Sequence, residues 1–204
     1  MSFYERRVLP WLLDLAMSAK PITYQRKKVV PLAEGRVLEI GIGAGQNLEF
    51  YNPAKVSHVW GLEPSAEMRE RAMKRAKDAK FSLEFLDLKA EEIPLDDKAA
   101  DTVLVTYTLC TIPDVVRALK GMRRVLKPGG RLIFCEHGRA PDANVSRWQD
   151  RITPAWKVLG GGCHLARPIP DLIRQGGFEI EKMEQMYLPS TPRFAGYNYW
   201  GSAK

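Results

Sequence analysis

A chain of 204 residues, 45% hydrophobic and 27% charged, can bury one core and is short for two domains. It has no run of about eighteen apolar residues, and Glu5, Arg6 and Arg7 ahead of Val8-Leu9-Pro10-Trp11-Leu12-Leu13 lack a signal peptide's order, so a soluble cytoplasmic protein is expected. The net charge of +7 comes from dispersed Lys and Arg with no zinc-finger spacing or RNA-binding aromatic motif, which argues against a nucleic-acid partner, and Cys110, Cys135 and Cys163 contain no CxxC pair, which argues against a disulfide framework.

The first 34 residues read as helices. Phe3, Tyr4, Val8, Leu12, Leu15 and Ala16 share an apolar face with Arg6, Arg7 and Lys20 nearby, which suits a lid over a site or a peripheral membrane contact. A local basic excess, Lys20, Arg26, Lys27, Lys28 and Arg36, reads as solvated surface. From about residue 36, β-rich runs alternate with helical stretches, the pattern of an α/β fold with a mostly parallel sheet and helices on both faces. Strands are expected at Arg36–Ile40, His58–Leu62, Ser82–Asp87, Thr102–Tyr107 and Arg131–Cys135. Helices are expected from near Gln46, from Ser65 to Ala79 and from Asp114 to Leu126. The stretch 138–167, rich in Gly and holding Trp148 and Trp156, reads as an inserted cap. Phe178–Met183 and Arg193–Gly201 then close the seven-stranded sheet as an antiparallel hairpin, and the whole chain, 1–204, is one domain.

The most informative segment is Val37-Leu38-Glu39-Ile40-Gly41-Ile42-Gly43-Ala44-Gly45, a buried strand that runs into a glycine loop. Glycines let the backbone turn sharply and approach a ligand closely, and a helix after them would present free N–H groups. The dinucleotide fingerprint needs a third glycine at position 46, where this chain has Gln46. Glu39 at the mouth of the loop would repel a pyrophosphate and attract the ammonium of an amino-acid moiety. Glu63, in Gly61-Leu62-Glu63-Pro64-Ser65 at the end of the second strand, can accept from two ribose hydroxyls. A cofactor with an ammonium at one end and a ribose further on is S-adenosylmethionine (SAM), not NAD.

In these features the chain resembles the class I SAM-dependent methyltransferases over roughly residues 35 to 137. The family's first motif matches Glu39 to Gly45, its ribose acid matches Glu63, and its later turn matches Val125-Leu126-Lys127-Pro128-Gly129-Gly130. The resemblance implies cofactor contacts from Glu39, Gly41, Gly43, Gly45, Asn47, Glu63 and Pro64, from the adenine loop at Ala90 and Glu91, and from Thr106. It places Tyr107 and Thr108 beside the transferable methyl. Lys89 stands where the family often has Asp.

Candidate bases for an acceptor are Glu136-His137 at the end of the fifth strand, which also reads as a satisfied strand-end pair, and, after it, His164 in the cap. Adjacent Cys163 and His164 with no further Cys/His cluster do not make a metal site. Phe134-Cys135-Glu136-His137, Trp148-Gln149, Pro154-Ala155-Trp156-Lys157 and Gly160-Gly161-Gly162-Cys163-His164-Leu165-Ala166-Arg167 resemble the membrane-associated thiol S-methyltransferases, without their N-terminal hydrophobic anchor. That resemblance implies a small thiol acceptor, reached between Tyr107 and Glu136-His137 beneath Trp11, Trp148 and Trp156, although these tryptophans also suit ordinary packing. A methyltransferase for a quinone, sterol or phospholipid headgroup, and a SAM-binding module without turnover, are the competing readings.

Overall fold

The computed structural model describes residues 8–204. Phe3, Tyr4, Arg6 and Arg7 of the apolar and basic N-terminal face lie outside the described residues. Two helices, α1 (Leu9–Met17) and α2 (Lys20–Val29), precede the sheet. The strands are β1 (Gly35–Ile40), β2 (Val56–Leu62), β3 (Ser82–Leu86), β4 (Ala100–Thr106), β5 (Leu126–His137), β6 (Ile180–Tyr187) and β7 (Tyr197–Ala203). Between them lie α3 (Ala66–Arg75), α4 (Val115–Val125), α5 (Ala143–Leu159), α6 (Ile169–Gln175) and α7 (Arg193–Gly196).

The seven strands are ordered β3-β2-β1-β4-β5-β7-β6. The first five are parallel, and β7 runs antiparallel to both β5 and β6, so the expected closing hairpin is present with its strands shifted toward the C-terminus. Alternation along the strands builds two cores. Leu38, Ile40, Val103, Val105 and Phe134 join α4 and α6 on one face, while Val37, Leu104, Ile133 and Cys135 join Val29 and Val30 on the other. The chain reverses its direction of strand addition between β1 and β4. This switch point, beyond the C-terminal ends of the two strands, is where open α/β sheets bind their ligands.

Local chemistry explains the helix ends. Ser65 Oγ accepts from Met68 N at 3.3 Å and caps α3, and the Asp114 carboxylate accepts from Arg117 N at 3.0 Å and caps α4. One expected helix is missing: after Gly45 the chain makes only a 3-10 turn, Leu48–Phe50. Asn47 turns its side chain inward, and Pro53 disfavours helical backbone at Asn52, so the segment has neither the length nor the conformation to continue. The glycine loop thus works without a helix dipole behind it. The segment expected as a cap contains the 17-residue α5, ended by a glycine-rich turn. Among the described residues no helix is long and apolar enough to cross a membrane.

Candidate active site

Gly41, Gly43 and Gly45 all have left-handed backbone, with φ of 67°, 57° and 82°. Their surroundings differ. A Cβ on Gly41 would lie 2.5 Å from the Thr108 side chain, and one on Gly45 would lie 2.9 Å from Leu48 and 3.1 Å from the Ala72 backbone. At Gly43 the nearest atom would be 3.5 Å away, which leaves a cradle that a side chain would fill. Glu63 accepts from Gly43 N at 3.1 Å and from Ser65 N at 2.9 Å, and burial raises its pKa. Pro64 beside it is exposed, while Ala90 is buried and the Glu91 carboxylate accepts from Asp114 N at 3.2 Å. The outer side of the loop meets α1 through Asp14, which accepts from Gln46 at 3.0 Å and pairs with Arg71 and Arg75 of α3 at 3.1 and 2.9 Å.

Beneath the loop lies a closed polar network. Glu39 accepts from Asn47 Nδ2 at 2.8 Å and from the Tyr51 hydroxyl at 2.7 Å. Arg26 of α2 donates through Nη1 to Asn47 Oδ1 and Thr106 Oγ1, both at 2.7 Å, and its guanidinium stands 5.4 Å from the centre of the Tyr107 ring. The sequence suggested a bare carboxylate at the mouth of the loop. Instead Glu39 is in the floor, where burial raises its pKa against its hydrogen bonds and the Arg26 charge. Its oxygens each retain a second lone pair for a cofactor donor.

The other wall forms where β4 and β5 end. Glu136 Oε1 accepts from Thr108 N at 2.8 Å and Leu109 N at 3.1 Å; Oε2 has no partner, and burial pushes the group up to about 7. His137 Nε2 lies 3.3 Å from Cys163 Sγ, and its buried Nδ1 has no partner. The neighbouring Cys110 thiol and His137 hold Cys163 down at about 4, whereas Cys110 is pushed well above a thiol's ordinary value. The Cys163 interaction outweighs the burial that alone would lower His137. Cys163 is thus the more acidic of the two thiols. Tyr107 has a left-handed backbone, φ 53°, and donates its hydroxyl to Asn198 at 2.7 Å.

A family model described as a methyltransferase domain matches residues 38–134. Thiol S-methyltransferase TMT1B of Homo sapiens is 32% identical over 190 residues, covering 88% of this chain and 77% of the human protein. The chain is a class I SAM-dependent methyltransferase. Demethylmenaquinone methyltransferase of Clavibacter sepedonicus is 32% identical over 125 residues, 61% of this chain and 50% of that protein. A crystal structure from Thermotoga maritima, described as a SAM-dependent methyltransferase and possible histamine N-methyltransferase, superimposes with a TM-score of 0.68 at 25% identity, covering 98% and 97% of the two chains.

SAM is the cofactor, and the open side of Gly43 next to the Glu63 carboxylate is a fitting seat for it. In this methyltransferase the fold brings Glu39, Asn47 and Thr106 together in one network and Glu136 and His137 together at the opposite wall. His164 stays apart: its backbone N–H donates to Cys110 O at 2.9 Å, while burial and Arg167 lower its side-chain pKa. The expectation of no metal-type cluster does not hold, because Cys110, His137 and Cys163 bring their ligand atoms within 4.8 Å of one another. The three-tryptophan cover is not formed either. Trp11 and Trp148 are 53% and 52% exposed, and Trp156 turns inward against Phe194. Arg26 went unrecognised because in sequence it is one cation in a basic run. Its only signal is a place on the inward face of α2 with Gln25 and Val29. A separate basic cleft of about 820 Å³, by Lys98, Lys127 and Lys182, lies at the opposite end of β5 from His137 and contains no glycine-loop residue.

Proposed function

We propose that this methyltransferase methylates the sulfur of small thiols. The observation that carries the reading is the buried His137 imidazole at the end of β5, with one nitrogen on the Cys163 sulfur at 3.3 Å and the other unpartnered. An ordinary thiol is mostly protonated at neutral pH, and its thiolate is the nucleophile. An imidazole oriented by an anion on one nitrogen is a stronger base at the other, the same logic that places a carboxylate behind a catalytic histidine. Here Cys163 holds the Nε2 side of the ring, and Nδ1 of the neutral imidazole takes the proton that leaves the acceptor's S–H bond.

When bound, SAM supplies an electrophilic methyl group on a sulfonium. Glu63 would hold the ribose, Glu39 with Asn47 would receive the amino-acid end, and Ala90 and Glu91 would border the adenine. Tyr107 is fixed by Asn198 and narrows the approach for the acceptor. Alignment and exclusion of water account for most of the acceleration in such a displacement. α1 clamped over the glycine loop by Asp14 acts as the lid. The likeness to the human thiol enzyme runs through the segment that carries Cys163, since it spans 88% of the chain.

A second reading, a quinone or lipid headgroup acceptor, draws on the exposed Trp11, Leu12 and Leu15 of α1 and on the menaquinone-pathway relative. Incubation with labelled SAM and a panel of thiols, phenols, quinols, amines and phospholipids, followed by product mass, separates the two. Methylated thiols are the expected product, and methylation confined to quinol or lipid would replace the first reading with the second.

A further inference from the structure

Three separate segments meet at one point beyond the ends of β4 and β5. Cys110 follows β4, His137 ends β5, and Cys163 lies in the turn after α5. Their sulfur and nitrogen ligand atoms all lie within 4.8 Å of one another, with His137 Nε2 and Cys163 Sγ at 3.3 Å. A tetrahedral zinc ion with Zn–S of ~2.3 Å and Zn–N of ~2.0 Å separates its ligand atoms by roughly 3.5–3.8 Å, so adjustments of well under an ångström to about one ångström would close the site.

The ligands sit on braced backbone. Arg167 donates to Leu109 O at 2.6 Å and Ile112 O at 2.7 Å, which fixes the loop on both sides of Cys110. His164 N donates to Cys110 O at 2.9 Å, so the Cys163 turn is tied to the Cys110 loop. His137 is held in register against Asn198 of β7. Such bracing sets the donors in place before a ligand arrives.

The orientation of the imidazole also fits. With Nε2 turned to Cys163, the other ring nitrogen, Nδ1, is buried without a hydrogen-bond partner, so no competing bond draws the ring away from the two sulfurs.

We propose that Cys110, His137 and Cys163 form a three-ligand site for a thiophilic divalent cation, Zn(II) before Mg(II) or Ca(II). Two sulfurs and one imidazole suit zinc and are poor partners for hard, oxygen-seeking cations. Three protein ligands leave a fourth position for water or a thiol sulfur. Binding releases the Cys110 thiol proton and the proton shared between His137 Nε2 and Cys163 Sγ to solvent, and with the cation in place Nε2 is a ligand while Nδ1 stays free.

The test is titration of the full chain, reduced with a thiol-free phosphine, with Zn(II) in competition with a chelator and with Co(II) as an optical probe. One equivalent of Co(II) showing sulfur-to-metal charge transfer and tetrahedral visible bands is expected. Cys110→Ser and Cys163→Ser should each weaken Zn(II) binding by at least about 100-fold. Cys135→Ser, which changes the cysteine outside the cluster, should keep both stoichiometry and affinity. The proposal falls if wild-type protein gives no thiolate–Co(II) band, or if folded Cys110→Ser and Cys163→Ser proteins bind as tightly as wild type. It also falls if the chain isolated under reductant carries Cys110 joined to Cys163 as a disulfide. The wild-type Co(II) spectrum decides the question even if the serine variants fail to fold.

Discussion

Arg26 and Glu39 are linked through Asn47, which accepts from the guanidinium at 2.7 Å on one side and donates to the carboxylate at 2.8 Å on the other. The amide separates two buried opposite charges without letting either stand alone. Removing one member of such a network leaves the others desolvated and unpaired, at a cost of about 3–5 kcal/mol. Arg26→Met should therefore lose about 3 kcal/mol in equilibrium urea unfolding. The double variant Arg26→Met with Glu39→Gln should lose less than the sum of the single changes, by at least about 1 kcal/mol. Additive losses would mean that the two charges do not support each other through Asn47.

Two loop glycines and one outside the loop should separate folding from binding. Gly41→Ala drives a methyl to 2.5 Å from Thr108 as well as straining a left-handed backbone, so it should destabilise the apoprotein by more than about 2 kcal/mol. Gly43→Ala carries only the backbone strain, about 1 kcal/mol, because the nearest atom is 3.5 Å away. It should nonetheless abolish binding of the demethylated product, S-adenosylhomocysteine, by filling the cradle. Gly129→Ala has a similar backbone, φ 82°, with no atom within 4 Å, and should show the same modest loss of stability with binding intact. Thermal melts and calorimetry on the three variants check this, and a Gly43→Ala protein that binds normally would move the cofactor off this loop.

How much of this is legible in the sequence depends on the range of the interaction. The βα alternation, the glycine loop and Glu63 are written within short segments, and each lies where periodicity and spacing place it. The helix expected near Gln46 failed because Asn47 is turned inward by partners on β1, β4 and α2. None of those partners is visible from the local pattern. The grouping of Cys110, His137 and Cys163 is likewise hidden, since the three residues are dozens of positions apart and meet only when β4, β5 and the turn after α5 share one end of the sheet. Even the α4–β5 boundary moved for a tertiary reason. Leu126 pairs with Ala100 of β4, which extends β5 back through the Pro-Gly-Gly turn.

Glu63 predicts a pH effect on cofactor affinity. Burial raises its pKa, so its protonated form favours the empty fold; this contribution is full below the ordinary carboxylate pKa and is lost as pH rises through the raised value. Ribose hydroxyls that donate to the carboxylate favour the ionised form instead. Affinity for S-adenosylhomocysteine should accordingly weaken as pH falls from about 8 to about 5. Glu63→Gln should bind at least about tenfold more weakly at neutral pH and lose the pH dependence contributed by this site. Calorimetry across that range is the measurement, and an unchanged slope in Glu63→Gln would assign the proton to another group.

The two histidines beside the acceptor wall should behave differently toward thiols of different acidity. His137 Nε2 faces Cys163 Sγ, while His164 is tied to the Cys110 loop through its backbone N–H. His137→Ala should lower kcat by about 100-fold or more for an alkyl thiol, which is mostly protonated at neutral pH and needs its proton removed. An acidic aryl thiol already supplies the anion, so the same substitution should cost it much less. His164→Ala should change either rate by less than about tenfold, because its imidazole accepts no proton in the reaction. Steady-state rates for a graded series of thiols would show this as a steeper dependence on thiol pKa in His137→Ala than in the parent enzyme. Equal losses across the series would leave His137 a purely structural role, since a base matters only to the extent that there is a proton to remove.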